Sequence, residues 1–128
     1  AEVGNMRLPQ KLLKKGIKDM IRISDARMSG TAYGTVILHT APEAAIKGPL
    51  AAIQNNDMIE IDVENGIMNV LLDDSVIKSR LENYKPILPE IKSGYQKMYV
   101  DHVTQADTGA DLDFLVGKRG SEVKRHSH

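Results

Sequence analysis

Hydrophobic and polar positions alternate along this chain in short stretches, which predicts several small elements. Residues 8–16 have a proline in the first turn, lysines in the last turn and a final glycine, a pattern typical of a short helix. Residues 19–24 alternate as in a strand, and residues 35–40 form a second, β-branched strand pattern. Residues 25–34 lie between these strands and are rich in small residues and turn formers. We call residues 25–34 the candidate turn.

The clearest local signal lies in the middle of the chain. Residues 58–63 and 67–72 both alternate, and Asn65 and Gly66 stand between them. An Asn-Gly pair between two alternating stretches is the strongest short-range signal of a β-hairpin. We therefore predict a hairpin over these residues.

The remaining segments predict short helices and one further strand. Residues 41–47 fit a short helix and residues 50–53 a strand. A helix capped at 73–75 is expected to run through Tyr84, and residues 95–105 fit either a helix or a strand. Because strands and helices do not alternate regularly, the pattern predicts a mixed α/β class, a small barrel or sandwich with peripheral helices.

Composition and charge narrow the classes of protein. The 128 residues are enough for one compact domain, and 17 basic residues balance 17 acidic ones, which argues against nucleic-acid or anionic-membrane binding. No apolar run approaches the roughly 20 residues of a membrane span. The chain has no cysteine, which excludes disulfides, a cysteine nucleophile and a thiolate-held cluster within these residues.

The two ends of the chain carry weaker signals. Residues 1–5 have neither a basic nor an apolar region of the kind found in a signal peptide, so we expect a cytoplasmic protein. The first residue is not methionine, which allows for a fragment of a longer protein. Residues 118–128 are predicted to be a weakly ordered tail, and the basic residues there lack the aromatic neighbours that stack on bases. The domain itself is expected over 1–117.

The candidate turn concentrates the groups that could carry chemistry. It holds an acid, a base, the hydroxyls of Ser29 and Thr31, and glycines that tolerate close approach. Such a turn suits anion binding or a reactive hydroxyl, but it also fits a structural turn whose hydroxyls satisfy the backbone. His39 and His102 have no metal-ligand spacing, and we expect them to form structural hydrogen bonds.

Six stretches of the sequence resemble, in order, the C-terminal domain of the dihydroxy-acid and sugar-acid dehydratases. The candidate turn reads Asp-Ala-Arg-Met-Ser-Gly-Thr over 25–31, similar to the sugar-acid (aldonate) branch, whereas the branched-chain members usually read Asp-Gly-Arg-Phe-Ser-Gly-Gly. The likeness runs from residue 1 to about 117. The matching stretches are 23–39, 41–45, 48–51, 57–63, 99–107 and 111–117.

The resemblance implies a fold and a reaction. The fold would be a swivelling β/β/α domain, a small β-barrel flanked by short helices. The reaction would be the removal of water from a 2,3-dihydroxy acid to give a 2-keto-3-deoxy acid, with an iron-sulfur cluster and Mg²⁺. Most ligands of these groups would lie in a larger N-terminal domain that acts as the partner of this one, in a homo-oligomer. We therefore expect this chain alone to be inactive.

The resemblance also assigns roles to individual residues. Ser29 matches the catalytic base, Thr31 a hydroxyl that assists it, and Glu2 a carboxylate that binds magnesium in the sugar-acid branch. The mechanism requires the Ser29 hydroxyl to lie at the mouth of a pocket. Arg27 could face the substrate carboxylate, because guanidinium groups match carboxylates, or could equally pair with Asp25.

Two other functions remain open. The chain could be a stand-alone swivelling domain that binds small anions or a partner protein through the candidate turn. It could also belong to a branched-chain dihydroxy-acid dehydratase, a reading that Ala26, Met28 and Thr31 disfavour.

Overall fold

The computed structural model describes residues 6–28, 33–88 and 90–117. Short helices and very short strands alternate irregularly, and three single turns of 3₁₀ helix connect them. The elements in chain order are α1 (Gln10–Lys14), β1 (Arg22–Ile23), β2 (Val36–Ile37), a 3₁₀ turn (Ala44–Ile46), a second (Pro49–Ala52), β3 (Ile59–Asp62), β4 (Ile67–Val70), α2 (Asp74–Asn83), α3 (Gly94–His102) and a third 3₁₀ turn (Ala106–Thr108).

The hairpin predicted from Asn65 and Gly66 is confirmed. β3 and β4 are antiparallel, with Ile59 opposite Val70 and Asp62 opposite Ile67. The Asp62 carboxylate accepts hydrogen bonds from the Asn65 backbone amide at 3.0 Å and from the Asn65 side-chain amide at 2.6 Å. These bonds hold the turn by the Asx-type contacts that favour such residues at turns.

Four other predictions have mixed outcomes. The helices predicted over 8–16 and from 73–75 onward are confirmed, and the helix-or-strand segment 95–105 is the helix α3. The strand predicted over 50–53 is wrong, because Pro49–Ala52 is a 3₁₀ turn. Pro49 stands at its first position, where the fixed φ of proline favours a helical start.

The candidate turn connects two parallel strands. β1 and β2 pair in parallel, Arg22 with Val36 and Ile23 with Ile37. Parallel strands cannot be joined by a tight hairpin and need a crossover of about a dozen residues or more. The candidate turn is the central part of this crossover. Its two ends therefore leave and re-enter the sheet at separate places, and each end needs its own contacts.

The mixed α/β class is confirmed, but the small barrel is not observed. Each of the two sheets has two strands, and neither closes on itself or on the other within residues 6–28, 33–88 and 90–117. The tail predicted over 118–128 lies outside the described residues. In the part of the chain that the structure describes, no helix is long and apolar enough to cross a membrane.

Little of the apolar surface is buried. Among the described residues only Met28 and Ala52 are buried hydrophobic residues, at 6% and 2% exposure. Large side chains such as Val63, Ile87 and Tyr95 are mostly exposed. Burial of apolar surface is usually the main favourable contribution to folding. Because little apolar surface is buried here, polar contacts contribute more than usual to the positions of the elements.

The backbone around Gly48, between the first two 3₁₀ turns, leaves no room for a side-chain methyl group. A Cβ atom at Gly48 would lie 1.7 Å from the Pro42 carbonyl oxygen, whereas a Cβ at Gly66 would contact nothing within 4 Å. We therefore expect Gly48→Ala to destabilise the fold by about 3 kcal/mol or more. Gly66→Ala should cost about 1 kcal/mol, from its left-handed backbone alone. Thermal unfolding of both variants measures the difference, and equal shifts would contradict the packing.

Candidate functional site

The candidate turn begins with two hydrogen bonds that fix its backbone. The Ser24 hydroxyl oxygen accepts a hydrogen bond from the Ala26 amide at 3.0 Å. The Asp25 carboxylate accepts one from the Ala44 amide at 2.7 Å, at the start of the first 3₁₀ turn. Asp25 is thus engaged by a backbone amide. The pairing of Asp25 with Arg27, one of the two alternatives from sequence, is not observed among the described residues.

Arg27 pairs instead with Glu43. Its Nη2 lies 2.6 Å from Glu43 Oε1 and its Nε lies 3.2 Å from the same oxygen. Nη2 also donates to the Thr104 carbonyl at 2.8 Å, and the guanidinium carbon lies 5.8 Å from the centre of the Tyr99 ring. The Arg27 and Glu43 side chains are 13% and 22% exposed. One side chain thus joins the candidate turn to two segments that are distant in sequence.

Met28 is held by a histidine. His39 Nε2 lies 2.8 Å from the Met28 carbonyl oxygen and 3.2 Å from the Met28 amide nitrogen, so it donates to the carbonyl when it carries a proton and accepts from the amide when it does not. The structural role predicted for His39 is confirmed by this contact. We call the contacts of Asp25, Arg27 and Met28 the entry anchor.

The other end of the candidate turn is held by Asp19 and Arg22. The Asp19 carboxylate accepts hydrogen bonds from the Thr35 hydroxyl at 2.7 Å and from the Thr35 amide at 3.0 Å. The Arg22 Nη2 donates to the Tyr33 carbonyl oxygen. Gly34, at a φ of +84°, lies against both side chains, and a Cβ atom there would be 2.3 Å from Asp19 Oδ1. We call these contacts of Tyr33 and Thr35 the exit anchor.

Hydrogen bonding sets the ionisation of the exit anchor. The Thr35 hydroxyl, followed by the Thr35 amide, holds the pKa of the Asp19 carboxyl below its ordinary value, and the nearby Arg22 charge acts in the same direction. Asp19 therefore remains ionised as an acceptor through the neutral pH range.

A groove opens beside the entry anchor. It has a volume of about 920 Å³ and runs along α3 to the segment that follows it. Asp25, Arg27 and Glu43 form its polar part, and Tyr95, Tyr99 and Leu112 are among the residues of its more apolar part. Residues 25–27, which precede Met28 and Ser29, thus border an open cavity.

The predicted site residues divide into two groups. Arg27 is in the described part of the chain and lines the groove. Ser29, Thr31 and Glu2 lie outside the described residues. Among residues 6–28, 33–88 and 90–117, no three histidine, cysteine, aspartate or glutamate side chains come together as a metal site.

Sequence reasoning missed Asp19, Arg22 and Glu43. Asp19 and Arg22 both lie within the strand pattern over residues 19–24, which ends at the candidate turn, and a charged residue in such a strand is an available signal. Glu43 carried no signal of its own, because it is 16 residues from the arginine that it contacts.

Comparison with known proteins defines the class of this fold and site. Residues 1–110 match the family model described as dihydroxy-acid/6-phosphogluconate dehydratase C-terminal. The chain belongs to this family. The family resemblance from sequence, including its sugar-acid branch, is confirmed by the relatives below.

Particular relatives place the chain near the sugar-acid enzymes. It is 59% identical, over its whole length, to an L-arabonate dehydratase of Azospirillum brasilense and to an L-arabinonate dehydratase of Rhizobium leguminosarum bv. trifolii. It is 46% identical to a dihydroxy-acid dehydratase of Dehalococcoides mccartyi over 73% of the chain. The chain spans 23%, 22% and 17% of the length of these three relatives.

The burial of the Arg27–Glu43 pair predicts that neutralising Glu43 costs more stability than neutralising Asp101. Glu43→Gln leaves a largely buried guanidinium without its carboxylate, so we expect a loss of about 2 kcal/mol in unfolding free energy. Asp101→Asn removes a helical pair with Lys97 in which both side chains are about two-fifths exposed, and should cost about 0.5 kcal/mol or less. Urea unfolding of the two variants tests this, and equal losses would contradict it.

The exit anchor predicts an acid titration with a defined sign. A carboxyl whose pKa is depressed by folding contributes stability above its ordinary pKa of 3.8 and loses that contribution as the pH falls through the depressed value. The Thr35 amide signal in NMR should therefore titrate with a midpoint below 3.8. The Asn65 amide, bonded to Asp62, whose pKa is also lowered, serves as the internal reference. In Asp19→Asn the Thr35 titration should disappear while the Asn65 titration remains, and a Thr35 midpoint at or above 3.8 would contradict the exit anchor.

Proposed function

We propose that this chain is the C-terminal domain of a hydro-lyase that dehydrates a sugar acid. The substrate would be an aldonate, a 2,3-dihydroxy acid, and the product a 2-keto-3-deoxy acid. The observation that carries this proposal is the match of the whole chain, at 59% identity, to two sugar-acid dehydratases. The branched-chain alternative has weaker support, since the dihydroxy-acid relative matches only 73% of the chain at 46% identity.

Ser29 is the proposed base. In the dehydration, Ser29 takes the proton from C2 as hydroxide leaves C3, and the proton that Ser29 later returns converts this hydroxide to water. The enol that remains becomes the 2-keto acid when C3 gains a proton and the enol oxygen loses one. A free serine hydroxyl is too weak an acid to ionise at neutral pH, so it needs activation by its surroundings. Thr31, two residues on, is the proposed hydrogen-bonding partner of the Ser29 oxygen.

The structure supports this role through the residues around Ser29. Residues 29–32 are bounded by the entry anchor on one side and the exit anchor on the other. The entry anchor borders the groove of about 920 Å³, which has room for a sugar acid. Fixed residues on either side of a base in the sequence reduce the freedom that must be lost when the substrate binds, which favours proton transfer.

The proposed cofactors fit this chain only in part. The sequence has no cysteine, so the ligands of an iron-sulfur cluster belong to another part of the enzyme. The Glu2 carboxylate is of the type that Mg²⁺ prefers, and it would be one ligand among several. When bound, these groups would supply Lewis-acid chemistry, which would stabilise the negative charge that develops on the substrate.

Arg27 has one donor left for a substrate carboxylate. Its Nε and Nη2 are engaged by Glu43 and Thr104, whereas Nη1 is buried and has no hydrogen-bond partner among the described residues. A substrate contact would therefore be made through Nη1, next to an existing ion pair. In this proposal the main role of Arg27 is to fix the candidate turn, and its contact with substrate is a secondary role.

The rest of the enzyme would complete the domain. Residues 1–117 are proposed as a swivelling β/β/α domain, which meets a larger N-terminal domain in a homo-oligomer. The sparse core and the exposed apolar side chains support a partner that covers them. The chain alone should then be inactive.

The assignment of Ser29 as the base predicts a large loss of activity when its hydroxyl is removed. In the full-length enzyme, Ser29→Ala should lower kcat on an aldonate by about 10² to 10⁴-fold, the usual contribution of a general base. Ser75→Ala removes an exposed serine at the start of α2 and should leave kcat unchanged. Near-normal turnover of Ser29→Ala with cluster and magnesium present would refute the assignment.

Adding the N-terminal part in trans separates the enzyme from the alternative binding domain. Mixing this chain with a separately expressed N-terminal part should yield 2-keto-3-deoxy acid, detectable by a keto-acid assay, while neither part alone does so. A tightly associated but inactive pair would instead favour a domain that only binds a partner.

A further inference from the structure

Arg22 contacts two backbone segments that are far apart in sequence. It lies in β1, and its side chain is only 9% exposed. The Nη1 donates to the Met6 carbonyl oxygen and the Nη2 to the Tyr33 carbonyl oxygen. The Nε lies 3.3 Å from the Met20 carbonyl oxygen, and Nη2 lies 3.5 Å from Asp19 Oδ1. All three nitrogens of the guanidinium therefore face protein acceptors.

The two carbonyls belong to the segments that carry the proposed site. Met6 follows Glu2 by four residues, and Tyr33 follows Thr31 by two. A single guanidinium thus joins the Met6 backbone, four residues after Glu2 in the sequence, to the Tyr33 backbone, two residues after Thr31.

We propose that Arg22 is a positioning residue that couples these two segments. The inference rests on the proposed function, because it assigns Arg22 no contact with substrate. The planar guanidinium holds two donors at a fixed spacing and angle, so the two carbonyls it binds keep a fixed relation to each other. A lysine offers a single nitrogen without this fixed geometry and cannot reproduce that relation. Small errors in the placement of catalytic groups reduce turnover strongly.

Arg80 provides a matched control elsewhere in the domain. It donates to the Ala52 carbonyl at 3.0 Å and pairs with Asp57 at 2.5 Å, and its side chain is 22% exposed. It therefore also joins a backbone carbonyl and a carboxylate, but it contacts neither proposed site segment. Loss of Arg80 should report the general cost of removing a half-buried arginine.

The experiment compares Arg22→Gln and Arg22→Lys with Arg80→Gln and Arg80→Lys in the full-length enzyme. Amide hydrogen exchange is measured over residues 6–8 and 33–35, at a temperature where all variants are folded. Arg22→Gln should speed exchange in both segments together by about tenfold, and Arg80→Gln in neither. In steady-state kinetics, Arg22→Gln and Arg22→Lys should lower kcat by about 10² with a smaller change in KM, whereas both Arg80 variants should keep kcat.

The outcomes decide the coupling independently of the chemistry. Faster exchange in only one of the two segments, unchanged exchange in both, or full kcat in Arg22→Lys would each overturn the proposal. The exchange result does not depend on the identity of the base. If Ser29→Ala stays active, the proposed function fails while the exchange result stands, and if exchange does not respond, the coupling fails while the Ser29 result stands.

Discussion

The structure depends on the contacts of two largely buried arginine side chains, Arg27 and Arg22, which bind the backbone on either side of residues 29–32 in the sequence. Arg27 holds the entry to the candidate turn through Glu43 and Thr104, and Arg22 holds its exit through Tyr33. Two-residue strands cannot by themselves orient the long crossover between them, and only two hydrophobic residues are buried among the described residues. Directed polar contacts, more than apolar burial, therefore determine where the turn lies.

These contacts should strengthen when the domain is covered. The attraction between opposite charges grows as water is excluded, provided that their hydrogen bonds stay satisfied. The Arg27–Glu43 pair borders the open groove, so a partner that closes the groove would lower the local dielectric around it. The same closure would raise the cost of leaving Arg27 Nη1 without an acceptor, which favours a ligand or partner group there.

Local features of the fold were predictable from sequence, and long-range contacts were not. The hairpin followed from Asn65 and Gly66, and the two strands beside the candidate turn followed from the alternation over 19–24 and the β-branched residues over 35–40, because these signals act between neighbours in the chain. The parallel pairing of these two strands was not predicted. The Pro49–Ala52 segment misled the prediction, since a short apolar run fits a strand or a helical turn equally well. The partner of Arg27 was predicted as Asp25 or substrate, whereas its actual acceptors lie 16 and 77 residues away, at distances that no periodicity encodes. Ser29, Thr31 and Glu2 stay predictions that rest on the family.

A crystal structure of the full-length enzyme with Mg²⁺ and an aldonate bound is the most direct test of the account. We expect Arg22 to contact the Met6 and Tyr33 carbonyl oxygens and Arg27 to contact Glu43. We expect the Ser29 oxygen to lie within about 3.5 Å of substrate C2, the distance of a near-attack geometry. A Ser29 side chain turned away from the substrate, or an Arg22 side chain released from both carbonyls while the substrate is bound, would contradict it.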